Sequence, residues 1–130
     1  MPDKTVRVVA AVVERAECYL ITQRRPTAVL PNLWEFPGGK VEPGEQDAVA
    51  LRRELRERLD VDVEVGEMMS FVRHPYEHYT VELYLYRCAL RGQVRAAAVQ
   101  DFRWIGSDEF DAYSFTPADE ASMTKLLGES

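Results

Sequence analysis

Cysteine and histidine are scarce in this chain, with two of each among 130 residues. Cys18 and Cys88 lie in apolar, strand-like stretches and are too few to staple a fold; they are expected as reduced core thiols of a cytoplasmic protein. His74 and His78 are four residues apart, but Pro75 between them rules out the helix that would bring both to one face, so a zinc pair is not expected. They are read as lining a turn near a cleft mouth, with Tyr76 available to stack on a base. No apolar run approaches the roughly 20 residues of a membrane span. Residues 1–13, MPDKTVRVVAAVV, lack the basic segment, long apolar run and cleavage site of a secretory signal, so the expected location is the cytoplasm. Basic residues are outnumbered by acidic ones, 16 to 22, for a net charge of −6. The basic face needed to grip polymeric nucleic acid is therefore not expected. A nucleotide remains possible, because a metal ion held by acidic groups reverses the field that phosphate meets. Repeats, low-complexity runs and domain linkers are also missing, and residues 1–130 are read as one domain with a single core. Monomer and homodimer both stay open.

What the chain does have is an ordered series of strand and helix signals. Residues 6–13 are nearly all apolar and β-branched, as in a strand buried on both faces. Residues 19–24 read as its hairpin partner across a turn at 14–17. A loop at 26–32 leads through 32–36 into the turn Pro37, Gly38 and Gly39, and a helix is expected over about 45–59. Two strands follow at 61–73, with a break at Gly66, and at 80–90, joined by a turn at 74–78. A hairpin at 91–93 then leads to a short strand at 102–105. The last helix starts with Thr116 as N-cap, Pro117 in the first position and Asp119 in the third, and buries Met123, Leu126 and Leu127. This order predicts an α/β fold with a mixed β-sheet sandwiched between helices. Trp34 and Trp104 are assigned to sheet packing.

The chemistry concentrates in residues 38–61, GGKVEPGEQDAVALRRELRERLDV, where a glycine turn runs into a helix carrying Glu54 and Glu57 one turn apart. At about 100° per residue, Ala48, Leu51, Leu55 and Leu59 form a stripe that the two acids flank. Two carboxylates at the rim of a core suggest a magnesium site. Arg53 is four residues before Glu57, and Arg58 four after Glu54, so each acid has a possible helical ion-pair partner.

The spacing is Gly39, five residues, Glu45, seven residues, then Arg53, Glu54, Leu55, one residue and Glu57. It resembles the Nudix box, and LWEFPGGKVEPGE at 33–45 resembles the MutT-type branch of that family. The resemblance implies a Nudix fold and a loop-helix-loop that binds Mg2+ or Mn2+. It also implies hydrolysis of a nucleoside triphosphate to monophosphate and diphosphate; an acceptor at Asp119 would favour cytosine or guanine, and an oxidised base stays open. Residue by residue, it implies that Glu54 is the base or water-positioning group and that Glu54, Glu57 and the Gly39 carbonyl are metal ligands. Arg53 would orient Glu57. Arg24, rather than Arg25, would contact phosphate. Asp119, in FTPAD at 115–119, would accept from an exocyclic amine of the base; the competing use of Asp119 is to cap its own helix. Glu54 is expected on an exposed helix edge, so that Gln in its place would leave thermal stability nearly unchanged.

The chain departs from the box at three places. Arg58 stands where the pattern has a second adjacent Glu, Asp60 where it has Gly, and Ala98 where MutT-like chains often carry a loop Glu, with Asp101 the nearest substitute. A guanidinium cannot ligate magnesium. These changes favour a rival reading, a nucleotide- or protein-binding module with little or no turnover. A further alternative keeps the chemistry and changes the substrate to ADP-ribose, a nucleotide sugar or a capped RNA end.

Overall fold

The computed structural model describes residues 4–126. Its first strand, β1 (Lys4–Val12), explains why this segment is apolar on both sides. Val9, Ala11 and Val13 pack with Leu51, Leu55 and Leu59, whereas Ala10 and Val12 pack with Phe36, Leu85 and Met123. The two faces belong to two separate cores, one under each helix.

After β1 come β2 (Glu14–Arg15), β3 (Cys18–Gln23), β4 (Trp34–Glu35) and β5 (Gly38–Lys40), then helix α1 (Asp47–Leu59). The long pair β6 (Asp62–Pro75) and β7 (Tyr79–Arg91) follows, then β8 (Asp101–Gly106), a short 3-10 turn (Ser107–Ala112) and helix α2 (Pro117–Leu126). One sheet has the order β5-β1-β7-β6. It is mixed, since β1 runs parallel to β7 and antiparallel to β5. A second, antiparallel sheet is built on β3, with β8 along one edge and β2 and β4 sharing the other. α1 packs on β1, β5 and β6, and α2 on β6 and β7. The α/β fold with a mixed sheet between helices is as the sequence predicts.

Three local expectations are corrected. Residues 19–24 are not the partner of β1: β3 pairs with β2 in the other sheet, across a turn in which Ala16 and Glu17 both have positive φ, the geometry of a tight hairpin. His74 and Pro75 belong to β6, opposite Val81 and Thr80, so the turn is shorter than 74–78. No hairpin links β7 to β8, because β8 crosses to the β3 sheet; the connecting loop instead donates Arg95 N–H to Leu59 O and both Ala97 and Ala98 N–H to Arg58 O. The irregularity near Gly66 is present as two register shifts between Val65 and Ser70. Thr116 caps α2 by accepting Asp119 N–H at 3.3 Å. Leu127 lies outside the described residues. Cys88 is buried while Cys18 is half-buried, and both are free thiols.

Candidate functional site

Antiparallel pairing of β5 with β1 sets Gly39 opposite Val9 and aims the turn at α1. A Cβ on Gly39 would lie 2.2 Å from Glu54 Cδ. The Glu54 carboxylate thus occupies the place where any other residue at position 39 would carry its side chain, and this close approach is what the glycine is for. Leu51 and Leu55 fix the rotation of α1 by filling the core beneath it. Gly39, Glu54 and Glu57 then line a common cavity of about 850 Å³ with Arg24, Arg58 and Asp119.

Glu54 itself is buried, with 7% exposure, which corrects the expectation of an exposed helix edge. Oε1 accepts from Arg58 Nε at 2.8 Å and Oε2 from Arg53 Nη1 at 3.1 Å. The predicted Glu54–Arg58 ion pair is therefore present. Glu57, by contrast, is exposed.

Arg53 does more than the sequence suggested. Its guanidinium makes a two-pronged contact with Glu45 at 2.8 and 2.9 Å and donates to Lys40 O at 3.0 Å, whereas Glu57 is 3.5 Å away. Its main work is to clamp the loop before α1 against the helix, with Glu57 a secondary partner. Glu45 lies before the helix, which begins at Asp47, and is free to take this contact. The Arg53 hydrogen bonds, helped by Glu42 N–H, hold the Glu45 carboxyl down at about 2.

Arg24 enters the cavity wall; Arg25 turns away to donate to Ala97 O at 3.2 Å. Arg24 gives Nε to Val29 O at 2.6 Å and Nη1 to Glu35 at 3.1 Å. Glu35 is the site residue that the sequence reading passed over. It sits in the WEF run between two apolar neighbours, and strand alternation opposite Trp34 and Phe36 was the available clue. Burial raises its pKa, opposed by the charges of Arg24 and Arg58.

Asp119 is 6% exposed and bridges two parts of the fold: Oδ1 accepts from Phe36 N–H at 3.0 Å, and Oδ2 accepts from the Thr116 hydroxyl. It lines the cavity beside Tyr76, whose ring stacks on Tyr79 with centroids 5.0 Å apart. Asp101 does not reach this cavity. It accepts from Phe102 N–H and pairs with Arg103, and Ala98 braces the end of α1. Asp60, in place of glycine, adopts the left-handed conformation that closes α1, with φ 53°. Asp tolerates that geometry, so this departure leaves the helix end intact.

The charge around Asp119 gives a prediction. Burial and the nearby Glu35 carboxylate push its pKa up to about 7, against the pull of Thr116, Phe36 N–H and Arg24. The folded state then holds a proton that the unfolded chain releases near pH 4, so stability falls as pH rises from about 4 to about 7. Asp119→Asn keeps an acceptor for Phe36 and cannot ionise. It is expected to melt above wild type at pH 8 and to converge with it near pH 4, read by thermal melts across that range. A variant that melts below wild type at pH 8 would contradict this balance.

Glu54 and Glu57 carry hard oxygen donors, and the Gly39 carbonyl, which the β5–β1 register sets against Val9 N–H, keeps one lone pair for a further partner. Such a set fits a magnesium-type ion, which binds through one or two carboxylates and completes its shell with water and substrate phosphate. Among the described residues no group of three or more His, Cys, Asp or Glu is arranged to hold a metal, so a full protein cage is absent. No helix of the described residues is long and apolar enough to cross a membrane.

Comparison with known proteins matches residues 8–125 to the NUDIX domain. The chain is 36% identical over 117 residues to a CTP pyrophosphohydrolase of Escherichia coli K12, covering 89% of this chain and 87% of that protein. It is 29% identical over 133 residues to an 8-oxo-dGTP diphosphatase of Haemophilus influenzae, covering 100% and 97%. The solution structure of the E. coli ORF135 protein superimposes with a TM-score of 0.84 at 33% identity, covering 96% of this chain and 90% of that one.

Proposed function

The chain belongs to the Nudix family as a MutT-like hydrolase, and we propose that it cleaves a nucleoside triphosphate to the monophosphate and diphosphate with magnesium or manganese. The observation that carries this reading is a single cavity lined by Gly39, Glu54 and Glu57 and also by Tyr76 and Asp119. Nudix hydrolases in general use divalent metal ions. An ion held by Glu54, Glu57 and the Gly39 carbonyl would offset phosphate charge and make phosphorus more open to attack. Glu54 takes the proton of the attacking water, and its burial beside two guanidinium groups fixes the carboxylate in one orientation. Arg53 holds that carboxylate and the loop together, and Arg24 engages the phosphates. Water adds across the phosphoanhydride between the α- and β-phosphorus: its oxygen joins one phosphorus, and the bridging oxygen leaves on the other.

At the base, Asp119 above its pKa of about 7 is a carboxylate with about four acceptor sites, of which Phe36 and Thr116 use two, so the base preference is to be read near pH 8. Those left over suit the exocyclic amine of cytosine or guanine, and Tyr76 offers a stacking surface. The E. coli relative named for CTP supports cytosine. A second reading, binding without turnover, is favoured by the engagement of both Glu54 oxygens by Arg53 and Arg58.

The test is a panel of ribo- and deoxynucleoside triphosphates, 8-oxo-dGTP and ADP-ribose, assayed for diphosphate release with magnesium and with manganese. Cytosine or guanine nucleotides are expected to be preferred about tenfold over uracil and thymine, since an acceptor facing a carbonyl costs about 1 to 3 kcal/mol. Asp119→Ala should narrow that gap. Binding of nucleotides with no diphosphate release would select the second reading, and turnover of ADP-ribose alone would change the substrate class. Equal use of all bases would return Asp119 to a purely structural role.

A further inference from the structure

We propose that the Arg58 guanidinium is a built-in cation of the phosphate subsite, doing work that a further divalent ion would otherwise do, so that the free protein holds one such ion at most. The proposal rests on the triphosphate reading above for its ligand and on the following geometry for its content.

Arg58 lines the same cavity as Glu54, Glu57 and Arg24. Only its Nε is committed to a hydrogen bond, to Glu54 Oε1 at 2.8 Å. Among the described residues its two terminal nitrogens donate no hydrogen bond, and the nearest further acid is Glu35, whose Oε2 is 4.0 Å from Nη1. The side chain is 30% exposed, enough for a ligand to reach it. A planar guanidinium with its outer N–H groups unspent matches the paired oxygens of a phosphate.

The position is also well fixed. The carbonyl of Arg58 accepts from both Ala97 and Ala98 N–H at 3.0 Å, and the next carbonyl, of Leu59, accepts from Arg95 N–H at 2.9 Å. The loop that follows β7 therefore braces the end of α1 from which Arg58 projects. Arg24 has two N–H groups committed, to Val29 O and Glu35, against one for Arg58, and engages phosphate with those that remain.

Charge balance gives the reason for such a cation. The cavity carries the acids Glu35, Glu42, Glu54, Glu57 and Asp119 against the bases Lys4, Arg24, Lys40, Arg53 and Arg58, so it has little positive charge to spare for a triphosphate, which brings several more negative charges. Two carboxylates and a glycine carbonyl can hold one magnesium-type ion with help from the phosphate itself. With Arg58 beside Glu54, and Glu35 already facing Arg24 and Arg58, a second ion would meet fixed positive charge. Arg58 supplies positive charge there without binding metal.

Two measurements on the intact protein test this, neither using turnover. The first counts Mn2+ bound to the free protein by electron paramagnetic resonance. Wild type should bind one at most, and Arg58→Glu should bind at least one more. The second measures inorganic triphosphate binding in excess chelator, where no metal contributes. Arg58→Ala should weaken binding tenfold or more, and Arg58→Lys should recover part of the loss. Thermal melts identify any variant that fails to fold, and Arg58→Lys keeps the comparison open if Arg58→Ala does. Unchanged Mn2+ stoichiometry in Arg58→Glu would overturn the proposal, as would triphosphate binding that is undiminished or tighter in both Arg58→Ala and Arg58→Lys. The hydrolysis reading fails separately, through absence of turnover on every nucleotide while triphosphate binding still depends on Arg58.

Discussion

Replacing Glu54 with Gln is expected to lower turnover of every nucleotide substrate by about a hundredfold or more, the scale of losing a positioned general base. The amide keeps the shape and cannot take a proton from water. The same change is also expected to lower stability, because Glu54 is buried and each carboxylate oxygen holds one guanidinium. Gln offers one acceptor in place of two, so either Arg53 or Arg58 would face an NH2 donor. Both guanidinium groups are partly exposed, so leaving one of these donors unpaired costs about 1 kcal/mol, the low end of the range for a buried group. Arg53 has Glu45 and Lys40 O to fall back on, which limits the loss. Diphosphate release at 25 °C, well below the melting point, reads catalysis, and a thermal melt reads stability. Turnover at the wild-type rate would remove Glu54 from the mechanism, whatever the melt shows. Unchanged stability with turnover lost would mean that Gln repacks without breaking either guanidinium contact.

How much of this was legible in the sequence depends on whether a residue acts through its neighbours along the chain or across the fold. The Glu54–Arg58 pair follows from helical spacing alone, and the Thr116 cap from residue type and position, so both could be read off. The doubly buried β1 was visible in its unbroken apolar run, although the run could not say which strands flank it. Pairing choices were harder. A short loop after β1 made β3 its natural hairpin partner, yet a hairpin turn with two residues at positive φ returns β3 onto β2 instead, and β5 and β7 take the two edges of β1. Arg53 shows the same limit at the site. Spacing offered Glu57, while the folded loop brings Glu45 closer from eight residues away. Glu35 was hidden for a related reason. A glutamate between Trp34 and Phe36 in a two-residue strand leaves only that brief alternation as a trace, and its importance comes from Arg24, Arg58 and Asp119, which three distant segments deliver. The role of Asp119 as a tie between α2 and Phe36 spans 83 residues and likewise had no local trace.

The neighbouring glycines Gly38 and Gly39 are expected to fail in opposite ways when each is changed to Ala. At Gly38 an added Cβ would lie 2.0 Å from Val9 O and 2.6 Å from Ala10 Cα, both backbone atoms of the central strand β1. Neither can move without opening the β5–β1 pairing, and Val9 and Ala10 sit in the two cores at once. Overpacking against rigid backbone costs about 3 kcal/mol or more, a large part of the roughly 5 to 15 kcal/mol that holds a domain folded. Gly38→Ala should therefore melt about 10 °C or more below wild type, or fail to accumulate as folded protein. At Gly39 the obstacle is the tip of the Glu54 side chain, 2.2 Å from the added Cβ, which can swing aside. The fold should survive with a loss of about 1 to 2 kcal/mol, the lower range for overpacking, while the displaced carboxylate no longer meets the attacking water. Turnover in Gly39→Ala should then fall on the scale of Glu54→Gln, by about a hundredfold. Melting and diphosphate release measured on both variants separate the two outcomes. Full turnover in Gly39→Ala would mean that catalysis does not need Glu54 where the glycine holds it, and a wild-type melt in Gly38→Ala would mean that β5 can lift from β1 at little cost.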